Sequence, residues 1–87
     1  MFEVEISQRA KKSSKNLQAH YRHRIVEFLL MLRENPVPAE FYDIKKLKGY
    51  VDTYRARIGD IRIIFEVEWD KHTVNVLLIE PRETVYS

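Results

Sequence analysis

The sequence predicts an α+β fold in which two N-terminal helices pack on one face of a mostly antiparallel four-stranded sheet, in the order β-α-α-β-β-β. Three observations lead to this prediction. Apolar and charged residues alternate over residues 2–6, apolar residues recur at helical spacing between 18 and 35, and residues 53–69 have the pattern of a β-hairpin. The 87 residues, without an internal repeat or a break in composition, indicate one domain spanning 1–87.

The N-terminal part of the chain predicts a strand followed by a short helix. Residues 2–6 alternate as a half-buried strand does. Ser7 is a good N-cap for a helix over residues 8–16. This stretch is polar, and Ala10 and Leu17 are its main apolar anchors, so we expect a weakly amphipathic helix.

The second helix has a clearer pattern, because its apolar residues recur every three or four positions from about residue 18 to 35. Val26, Leu30 and Met31 make this apolar surface wider than one packing face requires. Pro36 ends the helix, because proline lacks the backbone N–H that a helix interior needs. The residues of the predicted packing face are Tyr21, Ile25, Phe28, Leu29 and Leu32.

A hairpin is predicted around Gly59 and Asp60, which form a two-residue connection that begins with glycine. This connection sets the register, with Ile58 opposite Ile61 and Arg57 opposite Arg62. Side chains alternate between the faces of a strand, so one face is predicted to be the core. It comprises Tyr54, Ala56, Ile58, Ile61, Ile63, Phe65 and Val67. The final strand, over 73–79, is apolar on both faces, which predicts either a central position in the sheet or cover on both sides.

Three arginines share the other face of the hairpin: Arg55, Arg57 and Arg62. Two like charges directly opposite each other destabilise a sheet, so this arrangement suggests a function. Guanidinium groups present a planar set of donors that fits phosphate oxygens, which predicts an anion site. The simpler interpretation is a solvated face on which the arginines pair with Glu66 and Glu68.

A second group of basic residues lies in the long connection over 36–52. Lys45, Lys46 and Lys48 are predicted to point outward, while Ile44 and Leu47 point inward. A lysine-rich loop is usually only solvated surface. Next to the arginine face, however, these lysines would extend one basic surface suited to a polyanion such as RNA.

Composition narrows the remaining classes of function. The formal net charge of +2 is too small to establish a nucleic-acid partner by itself. The chain has no cysteine, and its three histidines lack metal-ligand spacing, so thiol chemistry is excluded and no metal site is predicted. No apolar run approaches membrane-spanning length, and the N-terminus lacks the apolar segment of a signal peptide. We therefore expect a cytoplasmic protein that does not associate with membranes.

Three segments together resemble the RelE/ParE toxin superfamily, and archaeal RelE most of all. They are Lys-Lys-Leu-Lys-Gly at 45–49, Tyr-Arg-Ala-Arg-Ile-Gly-Asp-Ile-Arg-Ile-Ile-Phe-Glu-Val at 54–67, and Arg-Glu-Thr-Val-Tyr at 82–86. The order and length of the helices also fit, so the resemblance covers nearly the whole chain. It implies a RelE-like fold for the α+β domain.

The resemblance also implies an activity, namely cleavage of messenger RNA in the ribosomal A site without a metal or cofactor. In the implied reaction a ribose 2′-OH attacks the adjacent phosphate, which leaves a cyclic phosphate and a 5′-OH. The family's catalytic positions fall on Arg55, Arg57, Arg62, Arg82 and Tyr86. Fixed guanidiniums stabilise the pentavalent phosphorane more than the ground state, and Tyr86 is the candidate to accept the 2′-OH proton. Neighbouring arginines would lower the pKa of that phenol.

A partner is implied as well, because RelE toxins are neutralised by a cognate antitoxin. We expect an extended, largely helical RelB-like chain, which would also cover surplus apolar surface on the second helix. Two alternatives stay open. One is a ParE-like inhibitor of DNA gyrase, since the same fold hosts both activities. The other is a non-catalytic RNA-binding module in which the arginines only contact phosphates.

Overall fold

The computed structural model describes residues 1–81 and consists of two helices and a five-stranded sheet. The α+β class and the placement of both helices before the hairpin are as predicted, and the number of strands is one higher. The elements in chain order are β1 (Glu3–Ile6), α1 (Gln8–Ser14), α2 (Ala19–Glu34), β2 (Asp43–Lys46), β3 (Thr53–Ile58), β4 (Ile61–Glu68) and β5 (Thr73–Pro81).

The strands lie in the order β1-β5-β4-β3-β2. β1 is parallel to β5, and the other neighbouring pairs are antiparallel. β5 therefore lies between β1 and β4, one strand in from the edge, which confirms the prediction of an interior position. The sheet is mixed because β1, at one edge, pairs only with β5 and runs parallel to it.

The additional strand is β2, which lies within the connection predicted over 36–52. Its four residues carry only one apolar side chain, Ile44, so they lack the alternation that marks a half-buried strand. They become a strand because β3 offers unpaired backbone groups along its free edge, and Asp43 to Lys46 pair with Arg57 to Tyr54. The four-stranded count was wrong for this reason.

The β3–β4 hairpin has the predicted register, from Tyr54 opposite Phe65 to Ile58 opposite Ile61. Gly59 has φ +58, a left-handed conformation that glycine adopts without the steric cost of a side chain. The local sequence of the turn was therefore sufficient to predict the pairing across the whole hairpin.

The core lies between the helices and one face of the sheet. Phe28 and Leu32 of α2 are fully buried there with Phe65 of β4, and the Phe28 and Phe65 rings meet edge to face with centroids 5.8 Å apart. Ser7 caps α1 by accepting a hydrogen bond from the Ala10 N–H at 3.0 Å, as predicted. The helix ends two residues earlier than predicted, at Ser14, and Leu17 follows it into the core.

A β-bulge interrupts the pairing of β4 with β5. Ile64 is opposite Leu78 and Phe65 is opposite Val76, so Leu77 is the extra residue on β5. Leu77 is consequently 38% exposed although it belongs to an interior strand. The bulge lies in the β4–β5 pair, next to β3. It adds the exposed side chain of Leu77 to the surface of the sheet.

Candidate functional site

The three arginines predicted to form an anion site lie together on the outer sheet face, opposite the helices. Arg55 and Arg57 belong to β3 and Arg62 to β4, and alternation within each strand brings all three to that face. Arg57 is directly opposite Arg62, as predicted. We call these three residues the arginine cluster. It concentrates three positive charges on two adjacent strands.

Carboxylates from the flanking strands partly offset this charge. Asp43 of β2 approaches two arginines, with its Oδ1 3.6 Å from Nη2 of Arg55 and its Oδ2 3.9 Å from Nη1 of Arg57. On the other side, Nη2 of Arg62 donates a hydrogen bond to Oε1 of Glu80 on β5. Each arginine is thus oriented by a carboxylate on a neighbouring strand, which reduces the mobility of the guanidinium groups.

The simpler interpretation, in which the arginines pair with Glu66 and Glu68, does not match the structure. Both of these carboxylates instead accept hydrogen bonds from Nδ2 of Asn75, at 3.2 Å and 2.6 Å respectively. The Asn75 bond, followed by Lys71, lowers the pKa of Glu68 below its ordinary value. The acidic end of the outer face therefore has its own partners and does not neutralise the arginine cluster.

The arginine cluster retains hydrogen-bonding capacity. The side chains of Arg57 and Arg62 are 39% and 42% exposed, whereas that of Arg55 is 17% exposed. The Nε atoms of Arg55 and Arg62 are buried without a hydrogen-bond partner among residues 1–81. A buried donor without a partner costs about 1–3 kcal/mol, so an anion that reached these groups would relieve part of that cost.

The lysines predicted to extend this surface are all exposed but do not share one face. Lys45 is opposite Arg55 and lies on the outer face with it, whereas Lys46 is opposite Tyr54 and lies on the helix-covered side at the sheet edge. Lys48 follows in the connection to β3. Strand formation by β2 explains the division, because adjacent residues of a strand point to opposite faces.

Two predicted site residues, Arg82 and Tyr86, lie outside the described residues. The described chain ends at Pro81, which is opposite Ile61 at the start of β4. The preceding residue, Glu80, is opposite Arg62. The chain therefore passes the arginine cluster immediately before position 82.

Asp43 and Glu80 are arginine partners that were not predicted from the sequence. A signal was available for Asp43, because Asp43 and Lys45 are two residues apart, as expected for side chains on one face of a strand. No comparable local signal exists for Glu80, whose pairing with Arg62 depends on the register of β4 with β5 and on the bulge.

Residues 1–81 contain no group of three His, Asp or Glu side chains that converges on a point suitable for a metal ion. Over the same residues, neither helix is long and apolar enough to span a membrane.

A separate apolar depression of about 490 Å³ lies between α1, α2 and the sheet. Ile25 and Leu29 contribute to its wall, as does Val26, which is 53% exposed. Lys11 and Arg22 belong to its lining as well, so this apolar surface is bordered by positive charge. Leu30, farther along α2, is 55% exposed. Part of the predicted surplus apolar surface of the second helix is thus accessible.

Known proteins resemble this chain in sequence and in fold. The family of the ParE toxin of type II toxin–antitoxin systems, parDE, matches residues 4–86. The protein RelE1 of Methanocaldococcus jannaschii is 39% identical over 86 residues, which make up 99% of this chain and 96% of the relative.

Two solved archaeal complexes contain chains with the same fold. A chain of the RelE–RelB complex from Pyrococcus horikoshii OT3 superposes with a TM-score of 0.85 and 35% identity, covering 95% of this chain and 97% of that one. A chain of the RelB–RelE antitoxin–toxin complex from Methanococcus jannaschii superposes with a TM-score of 0.81 and 29% identity, covering 95% of both chains.

Proposed function

The chain belongs to the ParE toxin family of type II toxin–antitoxin systems, within the RelE/ParE superfamily, and we propose that it cleaves messenger RNA in the ribosomal A site. The observation that carries this proposal is the arginine cluster, in which Arg57 directly opposes Arg62 on an open sheet face. An arrangement that is unfavourable for the free protein becomes favourable when a phosphate lies between the guanidiniums.

The proposed reaction is an intramolecular transfer at phosphorus. The 2′-oxygen of a ribose forms a bond to the adjacent phosphorus, the bond to the 5′-oxygen breaks, and the products carry a 2′,3′-cyclic phosphate and a 5′-OH. The 2′-OH loses a proton and the leaving 5′-oxygen gains one. The pentavalent phosphorane between these states carries more negative charge on its oxygens than the substrate does.

The arginine cluster is suited to that transition state. Arginine stays protonated at any ordinary pH, so Arg55, Arg57 and Arg62 act by binding and stabilising charge and not as bases. We assign Tyr86 the role of accepting the 2′-OH proton and Arg82 a contact with the phosphate. No metal or cofactor takes part in this scheme. Lys45, which shares the outer face with Arg55, and Lys48, in the connection to β3, are proposed to contact phosphates farther along the RNA.

We propose a RelB-like antitoxin as the partner that neutralises this activity. Two archaeal complexes with chains of the same fold are RelE–RelB assemblies. The depression beside Val26 and Leu29 offers an apolar surface bordered by Lys11 and Arg22, which fits an amphipathic helix with acidic residues at its margins. The site of action, ribosome-bound mRNA, places the protein in the cytoplasm.

A second candidate is inhibition of DNA gyrase, because the matching family is named for ParE. The fold accommodates both activities and does not decide between them. We favour RNA cleavage because two archaeal relatives, 39% and 35% identical to this chain, are RelE proteins. The arginine cluster also matches the chemistry of phosphoryl transfer.

The test is translation in vitro of a defined mRNA with purified wild-type protein, followed by primer extension to map any cuts. Cleavage at A-site codons on ribosomes, reduced 100-fold or more by Arg62→Ala, is the expected result. Intact mRNA and normal translation would contradict the proposal, and a gyrase supercoiling assay would then test the second candidate. Binding of RNA without cleavage would identify a non-catalytic RNA-binding module.

A further inference from the structure

The outer sheet face carries a depression of about 340 Å³ next to the arginine cluster. Its apolar floor includes Ile64 of β4 together with Leu77 and Leu78 of β5. Ile64 of β4 is opposite Arg55 of β3 and, on its other side, opposite Leu78 of β5. The floor therefore begins directly beside the arginine cluster. Neighbouring strands are about 4.8 Å apart, so the two features form one continuous surface.

The walls of this depression combine an aromatic ring with charged groups. Tyr50, from the connection between β2 and β3, lines the depression and is 65% exposed. Arg9, from the first turn of α1, contributes a cation. Glu66 contributes a carboxylate, one oxygen of which accepts a hydrogen bond from Asn75 at 3.2 Å.

The fold leaves one leucine and one tyrosine exposed at this depression. Leu77 is exposed because the bulge displaces it, and Tyr50 lies outside the hydrophobic core. Single-stranded RNA presents an anionic backbone and flat apolar bases, and proteins bind it with a positively charged groove beside aromatic side chains. The arginine cluster and the adjoining depression reproduce this combination on one sheet face.

We propose that the depression is a nucleobase pocket that holds the base of the nucleotide adjacent to the phosphate on the arginine cluster. The inference rests on the proposed RNA substrate. The base stacks on Tyr50 above the leucine floor, and Arg9 contacts the backbone at the far side. Glu66 accepts a hydrogen bond from an exocyclic amino group of the base, so adenine, guanine and cytosine are bound in preference to uracil, which has no amino group.

The direct test is fluorescence anisotropy with labelled RNA 10-mers that contain 2′-deoxy nucleotides and are therefore not cleaved, at low ionic strength. Tyr50→Ala is expected to weaken binding roughly tenfold, whereas Tyr50→Phe keeps the stacking surface and binds like wild type. Phe41→Ala is the matched control, because Phe41 is 66% exposed and does not line the depression. All these positions are exposed, and thermal unfolding verifies that the variants are folded.

The role of Glu66 is tested with homopolymeric 10-mers. Wild-type protein is expected to bind oligo-A and oligo-C several-fold more tightly than oligo-U, and Glu66→Gln to reduce this preference. Equal binding of all three by wild-type protein would overturn the assignment of Glu66.

Arg62→Ala separates failure of the inference from failure of the proposed function. If Arg62→Ala weakens RNA binding while Tyr50→Ala behaves like Phe41→Ala, the nucleobase pocket is overturned and the arginine site stands. If neither substitution changes RNA binding, and ribosome-bound mRNA stays intact, the proposed function fails and the inference fails with it.

Discussion

Alternate residues of the same two strands form the two faces of the β3–β4 hairpin, yet the faces differ in burial and in charge. On the helix-covered face, Ala56, Ile63 and Phe65 are fully buried. On the outer face, one residue away in each case, Arg55, Arg57 and Arg62 keep part of their surface in solvent. The first face supplies the free energy of folding, and the second uses a rigid sheet to hold charges close together.

This difference shows how a small domain separates stability from function. The buried face holds the strands in register through apolar packing that needs no specific charge. The outer face therefore tolerates an unfavourable pair of like charges at Arg57 and Arg62, whose repulsion is offset by carboxylates on the neighbouring strands. Substitutions on the two faces should accordingly have different consequences.

The largest effect on stability is expected on the buried face. Phe65→Ala removes a fully buried ring that meets Phe28 edge to face and stacks on Tyr54 at 5.6 Å. We expect a loss of about 3–5 kcal/mol in the free energy of unfolding, measured by urea denaturation. Leu30→Ala, at a position 55% exposed, is the control and should cost far less. Similar losses for the two variants would contradict the assigned core.

A smaller loss of stability is expected from a substitution in the turn that sets the register of β3 with β4. Gly59→Ala forces alanine into a positive-φ conformation at about 1–2 kcal/mol. It also places a Cβ 2.9 Å from Cε1 of Tyr21 and 2.9 Å from Nη1 of Arg24. Gly49→Ala shares the positive φ but meets no atom within 4 Å, so thermal unfolding should show a smaller loss there. Equal losses would mean that the two side chains move aside freely.

On the outer face, Asp43→Asn should change function more than stability. Asp43 is exposed and its ion pairs are 3.6 Å and 3.9 Å long, so we expect under about 1 kcal/mol of destabilisation. Affinity for single-stranded RNA should rise a few-fold, because the arginine cluster loses a competing anion. Asp70→Asn removes the same charge at the opposite end of the hairpin and is the control for net charge. An equal gain in both variants would show that only net charge matters.

The smallest effect concerns pH. Hydrogen bonding to Asn75 lowers the pKa of Glu68 in the folded state, so this carboxylate contributes stability above its ordinary pKa and loses it as pH falls through the lowered value. Wild-type protein should therefore lose slightly more stability than Glu68→Gln between about pH 5 and pH 3, as followed by urea denaturation at each pH. Parallel curves for the two proteins would contradict the assigned interaction.

Much of this architecture was predictable because the signals were local. Ser7 precedes a helix that it caps, and the pair Gly59-Asp60 determines the hairpin register, so the arginine cluster followed from alternation alone. The apolar spacing of α2 likewise identified Ile25, Phe28 and Leu32 as buried residues. These features depend on interactions between residues close in sequence, which a single sequence displays directly.

The sequence by itself determined which residues face the core and which three arginines share the open face. Only the tertiary structure decided that Asp43–Lys46 is a strand, that β1 runs parallel to β5, and that Asp43 and Glu80 orient the arginines. The physical reason is that a short polar segment has no intrinsic preference strong enough to make it a strand. Its conformation and its partners come from backbone hydrogen bonds with a distant edge, whose position is set only when the core is packed.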